Sequence, residues 1–347
     1  MRPTLPLVLL VLLSGCTAGT TEEAAVSAPS GAVTAPAGRS LLVAVERGTR
    51  PGLWLYRVGD DRAATHVATV PPPVRGASVR GFTLSAGPSP DVCATWVSES
   101  EESVVLRCGS WGDLAGAQVP TQHEPADVSL RADGARLAWT EDSRDPETYL
   151  QELVVASYRH GEVSGAQRYV TSGTGPEGRL AVDCGEQVFQ PVWAGEDALL
   201  GEGPGMNDLP GFQYRIELGE RRPTCTQVPE PDHAGRDGRY FTSPSWSDGR
   251  SFLAIEGEWC ELECPAGRAP SPRRAVRVDL TTGRLIEVIA TPADGRRVRS
   301  VTGGEHGFVY VTEGSHDTRV YLRWPGERRG TRVTGLPADA LHLRAQP

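Results

Sequence analysis

The chain has 347 residues, with 44 acidic residues against 35 lysines and arginines and a formal net charge of −9. No lysine occurs in it, so all of these basic residues are arginines. The absence of lysine excludes Schiff-base and pyridoxal-phosphate chemistry and the P-loop. The negative charge argues against nucleic-acid binding, which needs a basic patch. The 40 glycines and 28 prolines have no collagen period, and the single long apolar run excludes a multi-span membrane protein.

That apolar run lies at the N-terminus and has the features of a secretion signal. Arg2 supplies a positive charge, residues 5–13 are apolar but too short to span a bilayer, and LSGC follows at 13–16. This ending resembles the lipobox of bacterial lipoproteins. The resemblance implies a signal peptide over 1–15, cleavage before Cys16 and a diacylglyceryl group on the Cys16 sulfur. The alternative is an ordinary secretory signal that ends near a cysteine.

Residues 16–39 are predicted to form a flexible tether before a folded domain over 40–347. The tether contains only Val26 and Val33 as apolar β-branched residues, and it has no aromatic residue. Such a segment cannot bury enough apolar surface to offset the entropy that ordering would cost. We therefore expect a protein held by its lipid on the extracytoplasmic face of the cell membrane.

Six cysteines remain after Cys16, and an even number outside the cytoplasm indicates disulfides. Residues 91–111 read DVCATWVSESEESVVLRCGSW, which is two β-rich runs around a polar stretch. A hairpin centred on that stretch places Cys93 directly opposite Cys108, where Cα atoms lie about 4.5–5.5 Å apart. This separation overlaps the disulfide range. We predict a disulfide between these two residues.

The other four cysteines allow a less direct assignment. Cys260 and Cys264 border a tight loop that a disulfide closes, and Cys184 and Cys225 pair by elimination. The alternative is zinc, since Cys-x3-Cys spacing with His233 upstream is typical of zinc ligands. No second pair with matching spacing exists. The sequence therefore predicts disulfides, with no metal and no cofactor.

From residue 40 onward the sequence predicts an all-β protein. Short β-rich runs alternate with Gly, Pro, Asp and Ser clusters, and no long stretch has the apolar period of a helix. Many short strands at regular spacing are typical of a sandwich, a barrel or a propeller. About 300 residues is long for one sandwich, so two domains or a repeat are needed. The clearest runs are LLVAV (41–45), LWLYRV (53–58), VVLRC (104–108), LVVASY (153–158), AVRVDL (275–280), GFVYVT (307–312) and RVYLRW (319–324).

An internal repeat favours the propeller. FQPVWAGEDALLGEG (189–203) and TSPSWSDGRSFLAIEG (242–257) share Pro-x-Trp, an acidic turn and an apolar strand. Two further strand-like runs follow each copy, and four strands per unit are typical of a propeller blade. Weaker copies occupy 82–96, 128–142 and 298–314. The motif residues are Pro191, Trp193, Pro244, Trp246, Asp248 and Gly249, with Asp133 and Gly134 in a weaker copy.

The segment PSWSDGRSFLAI (244–255) resembles the repeat of TolB-type β-propellers, although its turn is one residue shorter. The resemblance implies six blades, each a four-stranded antiparallel sheet. Counting along the chain agrees, and ALHLRA (340–345) is expected to supply the innermost strand of the first blade and close the ring. TolB proteins carry an extra N-terminal domain and work with an outer-membrane partner, so the likeness is one of fold. The predicted units are 41–70, 80–122, 126–172, 186–229, 240–291 and 298–335.

Few residues suggest catalysis. The chain has no His-Glu-x-x-His, Gly-x-Ser-x-Gly, Gly-x-Gly-x-x-Gly or EF-hand pattern. His306 and His316 flank one predicted hairpin without an evident third metal ligand. Acidic residues cluster at 99–102 and 140–145. The first cluster is expected to be a solvated hairpin tip, with a cation or partner contact as the alternative.

These observations favour a non-enzymatic, monomeric propeller that binds a protein or another ligand at the cell envelope. An extracytoplasmic propeller enzyme acting on envelope glycan or on a small ligand at the central channel is the alternative. A sensor or assembly factor for a neighbouring membrane system is a third hypothesis. Carboxylates and histidines within hydrogen-bond reach at the channel mouth would favour an enzyme, whereas aliphatic residues and scattered arginines would favour binding.

Overall fold

The computed structural model describes most of the chain from residue 39 onward. These residues belong to one compact unit, Ala35–Pro347. In the described ranges no helix is long and apolar enough to cross a membrane. The predicted signal peptide, Cys16 and all of the tether except residue 39 lie outside these ranges. The described residues are 39–47, 50–87, 89–100, 103–111, 118–142, 151–171, 180–181, 188–203, 212–219, 223–229, 239–258, 273–293, 295–315, 317–337 and 340–347.

Within the described residues, twenty-four strands form six sheets, which are the blades of a β-propeller. Blade 1 contains β1 (Leu41–Arg47), β2 (Leu53–Val58), β3 (Ala64–Val70) and the last strand, β24 (Ala340–Ala345). Blade 2 contains β4 (Ser78–Leu84), β5 (Asp91–Val97) and β6 (Val104–Ser110). Blade 3 contains β7 (Glu124–Leu130), β8 (Arg136–Asp142), β9 (Gln151–Arg159), β10 (Glu162–Val170) and β11 (Leu180–Ala181).

The remaining three blades are regular. Blade 4 contains β12 (Phe189–Trp193), β13 (Ala198–Glu202), β14 (Gln213–Glu217) and β15 (Thr224–Gln227). Blade 5 contains β16 (Arg239–Ser247), β17 (Ser251–Glu258), β18 (Arg274–Asp279) and β19 (Leu285–Ala290). Blade 6 contains β20 (Arg297–Gly304), β21 (Gly307–Glu313), β22 (Thr318–Arg323) and β23 (Thr331–Arg332). The prediction of a six-bladed all-β propeller is confirmed.

Blades 2 and 3 depart from the four-stranded pattern. Within the described part of blade 2, the fourth strand is reduced to a single bridge between Arg107 and Gln118. In blade 3 the short strand β11 adds to β10 in parallel, with Tyr169 opposite Leu180. All other pairings between named strands are antiparallel, as expected for strands joined by short turns.

The ring is closed by β24, as the sequence predicts. This strand pairs antiparallel with β1, so that Ala44 lies opposite Arg344. The innermost strands then contact one another in a closed order, β24, β4, β7, β12, β16 and β20. Gly304 of blade 6 allows the end of the chain to approach, because a Cβ atom there would collide with Pro347. The pairing covers the inner edge of β1, which would otherwise be unpaired.

The core is divided among the blade interfaces. Each of six apolar clusters draws its side chains from two adjacent blades. One example joins Val43 of blade 1 to Val309 and Trp324 of blade 6. Since the central strands are buried on both faces, their sequences are continuous apolar runs and do not alternate. This explains runs such as 41–45 and 307–312.

The predicted disulfide between Cys93 and Cys108 is confirmed. The two residues are directly opposed on β5 and β6, and Trp96 faces Val105 in the same register. Their Cα atoms are 4.1 Å apart. Cys225 is also disulfide-bonded. Cys184, Cys260 and Cys264 lie outside the described residues, so the pairings Cys184–Cys225 and Cys260–Cys264 stay predictions.

Candidate functional site

A cavity of about 460 Å³ lies on the propeller axis. The innermost strands of all six blades line it, so its wall combines residues from both halves of the chain. In order around the ring, the blades contribute Arg344, Gly81, Asp127, Pro191, Pro244 and Thr302, together with their neighbours. We call this cavity the central channel.

The Pro-x-Trp motif forms part of the channel wall. Pro191, Trp193, Pro244 and Trp246 all line the cavity. The inner edge of each blade has no strand beside it, and proline removes an N–H group that would otherwise be unpaired at such an edge. The motif therefore places rigid apolar surface on two adjacent blades.

The two tryptophans pack into different interfaces. Trp193 lies between blades 3 and 4, and its Nε1–H donates to the carbonyl oxygen of Ser129 at 3.1 Å. Trp246 lies between blades 5 and 6. Trp193 pairs with Leu199 and Trp246 with Leu253, so the second turn is one residue longer. The bulges before the two tryptophans also differ in length, and a one-residue difference moves a strand's side chains to the opposite face.

The turns after these strands contain the Asp-Gly pairs of the repeat. Gly134 and Gly249 have φ angles of 69° and 82°, a region that favours glycine. The Oδ1 atoms of Asp133 and Asp248 accept backbone N–H groups that follow in the same turns. Asp248 also lines the channel, where it pairs with Arg277 at 2.5 Å.

The innermost strands contain bulges, and one of them places Gln190 at the channel. Every innermost strand has a register shift where it pairs with its neighbour. Gln190 and Ser243 lie in two of these shifts with φ angles of 50° and 54°, which are uncommon for residues other than glycine. Bulges of this kind redirect side chains and interrupt pairing.

Carboxylates hold the backbone at both of these positions. The Gln190 N–H donates to Asp127 Oδ2 at 2.9 Å, and the Ser243 N–H donates to Glu202 Oε2 at 2.7 Å. Burial raises the pKa of Glu202, and the hydrogen bond from Ser243 opposes that rise. A second hydrogen bond reaches Glu202 from the Thr242 hydroxyl at 2.8 Å. These acids stabilise the unusual backbone of the next blade.

The opposite side of the channel carries positive charge. Arg344 lies on β24, and its guanidinium has no hydrogen-bond or ion-pair partner among the described residues. Burial lowers the pKa of Arg344, and the negative charge of Asp127 opposes this effect. The pKa of His342 is lowered first by burial and then by the charges of Arg299 and Arg344. Arg344 therefore interacts electrostatically with Asp127 from across the channel, and His342 lies within range of two arginines.

A hydroxyl in the channel also lacks a partner. The Ser245 Oγ atom is buried without a hydrogen-bond partner among the described residues. Ser245 occupies the middle position of the second Pro-x-Trp motif and lines the channel. A buried hydroxyl without a hydrogen bond costs free energy, so this group is available to a ligand.

Among the described residues, no histidine lies within hydrogen-bond distance of a carboxylate. Three histidines approach one at a longer distance: His160 to Asp91 at 3.7 Å, His123 to Glu152 at 3.9 Å and His342 to Glu46 at 4.0 Å. In a catalytic triad a histidine base is oriented by a carboxylate within hydrogen-bond reach, and none of these separations is that short. The described residues also contain no group of three or more His, Cys, Asp and Glu side chains suited to a metal ion.

A buried ion pair in blade 3 was not foreseen from the sequence. Glu141 and Glu152 face each other on β8 and β9, and both side chains are inaccessible to solvent. Arg168 donates to Glu141 Oε2 at 2.7 Å and to Glu152 Oε2 at 2.9 Å. The acidic cluster at 140–145 therefore includes a carboxylate that belongs to the core.

Sequence reasoning also missed Arg344, Ser245, Asp127 and Glu202. Arg344 interrupts the apolar strand ALHLRA, and Ser245 occupies the variable position of a repeated motif. An arginine within an otherwise apolar strand is the one signal that points to a site, because a buried guanidinium needs a partner. His306 lines the channel mouth from an exposed turn, whereas His316 and His233 lie outside the described residues.

No family model matches the chain, and no curated protein matches it. Among solved structures, TolB from Acinetobacter baumannii is similar with a TM-score of 0.53 and 10% identity, covering 89% of this chain and 67% of that chain. The crystal structure of a nidogen/laminin complex is similar with a TM-score of 0.51 and 13% identity, covering 89% of this chain and 98% of that chain. At these identities the likeness establishes the fold, a six-bladed propeller with TolB-like neighbours.

Proposed function

We propose that this chain is a lipid-anchored extracytoplasmic propeller that binds an envelope protein or ligand through its central channel, as a non-enzymatic binding or scaffold protein. The observation that carries the proposal is the channel wall. It combines rigid proline and tryptophan surface with a guanidinium and a hydroxyl that lack partners among the described residues. Concave sites with mostly apolar walls and a few placed polar groups are typical of ligand binding.

The acids near the axis support binding more than catalysis. Asp127 and Glu202 are engaged with backbone N–H groups at 2.9 and 2.7 Å, so they act in holding the strands. A glycan-cleaving site needs two carboxylates directed at one bond. Of the described carboxylates that line the channel, Asp127 accepts the Gln190 N–H and Asp248 pairs with Arg277, so both are already engaged.

Crosslinking from inside the channel tests the binding role. A photo-crosslinking phenylalanine derivative is placed at Ser245 in one variant and at Val74 in a control, since Val74 is 57% exposed and does not line the channel. We expect irradiation of intact cells to produce a discrete adduct with the first variant only. Absence of that adduct, or the same adduct from both variants, would overturn binding through the channel.

The lipid anchor needs a separate test. Cys16→Ala removes the sulfur on which the lipid is proposed to lie, while Thr17→Ala is a matched control at the next residue. We expect the first variant to move from the membrane fraction to the released fraction, because no acyl chain would hold it. Equal membrane fractions for Cys16→Ala and wild type would overturn lipidation at this residue.

A further inference from the structure

We infer that the central channel contains a subsite for a carboxylate, in which the Arg344 guanidinium is the primary donor. The inference rests on the proposed binding function and names the chemistry of the ligand. It concerns the side of the channel formed by β24, which carries Arg344 and, two residues earlier, His342.

The orientation of β24 places Arg344 in the channel. Its neighbours Leu343 and Ala345 are buried in the cluster between blades 1 and 6. Since side chains alternate along a strand, Arg344 lies on the other face, and it lines the cavity. Pairing with Ala44 of β1 holds the strand in this register.

The lack of a partner for Arg344 is notable because comparable arginines are engaged. Arg131 pairs with Asp133 at 2.6 Å and also contacts the Trp193 ring. Arg277 pairs with Asp248 at 2.5 Å. In a chain of net charge −9, carboxylates are plentiful, yet none among the described residues pairs with Arg344. A partly desolvated guanidinium without a counter-ion is unfavourable, and a bound anion removes that cost.

The local field favours an anion of single charge. The pKa of His342 is lowered by burial and by the charges of Arg299 and Arg344, which favours its neutral form, so the positive charge on this side comes from the arginines. Asp127 interacts with Arg344 through space without an ion pair, and its Oδ2 is occupied by the Gln190 N–H. A carboxylate balances the arginine and tolerates the nearby Asp127. A doubly charged phosphate would suffer greater repulsion from that acid.

The shape of the guanidinium and the volume of the channel limit the chemical class of the ligand further. A guanidinium offers two parallel N–H groups that match a carboxylate. The channel volume of about 460 Å³ accommodates more than an isolated anion. The carboxylate therefore belongs either to an acidic side chain of a peptide segment or to a small organic acid, and the experiment must separate these two sources.

The test measures binding by intrinsic tryptophan fluorescence, because Trp193 and Trp246 line the channel. The probes are acetyl-Ala-Glu-Ala-amide, its Gln counterpart, sodium acetate, sodium succinate and sodium phosphate. A charge-assisted hydrogen bond of about 1.5–3 kcal/mol predicts that the Glu peptide binds about tenfold or more tightly than the Gln peptide. Saturation by acetate or succinate at lower concentration than the Glu peptide would assign the site to a small acid, while the reverse order would assign it to a peptide.

Variants of Arg344 connect binding to this residue. Arg344→Gln should abolish the preference for Glu over Gln, and Arg344→Lys should retain a smaller preference because it keeps the charge without the planar fork. The control is Arg57→Gln, since Arg57 lies on β2 of the same blade and does not line the channel. Equal melting temperatures of Arg344→Lys and wild type verify that this comparison is made on folded protein.

Several results would overturn the subsite. These are no saturable binding of any carboxylate probe to wild type, an unchanged Glu preference in Arg344→Gln, the same loss in Arg57→Gln, or tighter binding of phosphate than of acetate. A channel-specific crosslinked adduct combined with any of these results would retain the proposed binding function and reject only the carboxylate subsite.

Discussion

Replacing Leu343 by alanine tests whether β24 holds the ring of blades together. Leu343 is 5% exposed and belongs to the apolar cluster between blades 1 and 6. It reaches that cluster because β24 pairs with β1 across the closure, with Val45 opposite Leu343. If this strand were undocked, the leucine would be solvated and its truncation would cost little.

The size of the effect follows from burial. Removal of three buried carbon groups loses about 0.8 kcal/mol each in transfer free energy, or roughly 2.4 kcal/mol. The cavity left between two packed sheets adds to this loss, because neighbouring strands relax only partly. We therefore expect Leu343→Ala to lower the free energy of unfolding by about 3 kcal/mol. For a domain of this size the melting temperature falls by roughly 4–6 °C.

The assay is urea unfolding followed by tryptophan fluorescence, repeated by calorimetry. The matched control is Leu285→Ala on the outer strand of blade 5, where the leucine is 40% exposed. This control should lose less than about 1 kcal/mol. Deletion of residues 338–347 removes β24 entirely and should destabilise further, since it opens the ring. A Leu343→Ala loss equal to that of the control would refute closure by this strand.

The remaining predictions concern blades 2 and 3. Arg168→Ala leaves Glu141 and Glu152 buried without their cation and should cost about 3–5 kcal/mol in urea unfolding; a loss below about 1 kcal/mol would instead indicate a solvated pair. Replacing Cys93 and Cys108 together by alanine opens a loop with a sequence separation of 15. The double variant should lose about 3 kcal/mol, measured by calorimetry under non-reducing conditions, and stability equal to wild type would contradict this expectation.

The fold was predictable where the determining interactions are local. The Cys93–Cys108 pairing follows from the symmetry of one hairpin, whose register depends only on its own turn. The role of β24 followed from counting strands, because the first unit lacked an innermost strand and an unassigned apolar run remained at 340–345. The apolar runs predicted strands, and the six interface clusters explain why these runs are continuous, since the central strands are buried on both faces.

The packing direction of the motif tryptophans was less accessible. Both pack between blades, but Trp193 and Trp246 face different neighbours. The two packing directions arise because the turn after Trp246 is one residue longer and because both strands contain bulges, whose positions cannot be predicted from the sequence. The burial of Glu141 was equally hard to predict. Its partner Arg168 lies on β10, and no short sequence pattern relates that strand to β8.

The amino-acid sequence by itself determined the class of fold, the number of blades, one disulfide and the expectation of a lipid anchor at Cys16. These conclusions depend on periodicity, turn chemistry and short motifs, which act within one or two strands. Only the tertiary structure decided the chemistry of the channel. Arg344 and Asp127 lie in different halves of the chain and approach because the ring closes, and their interaction depends on burial and through-space charge. Such effects have no periodic signature, so they become visible only when the blades are assembled.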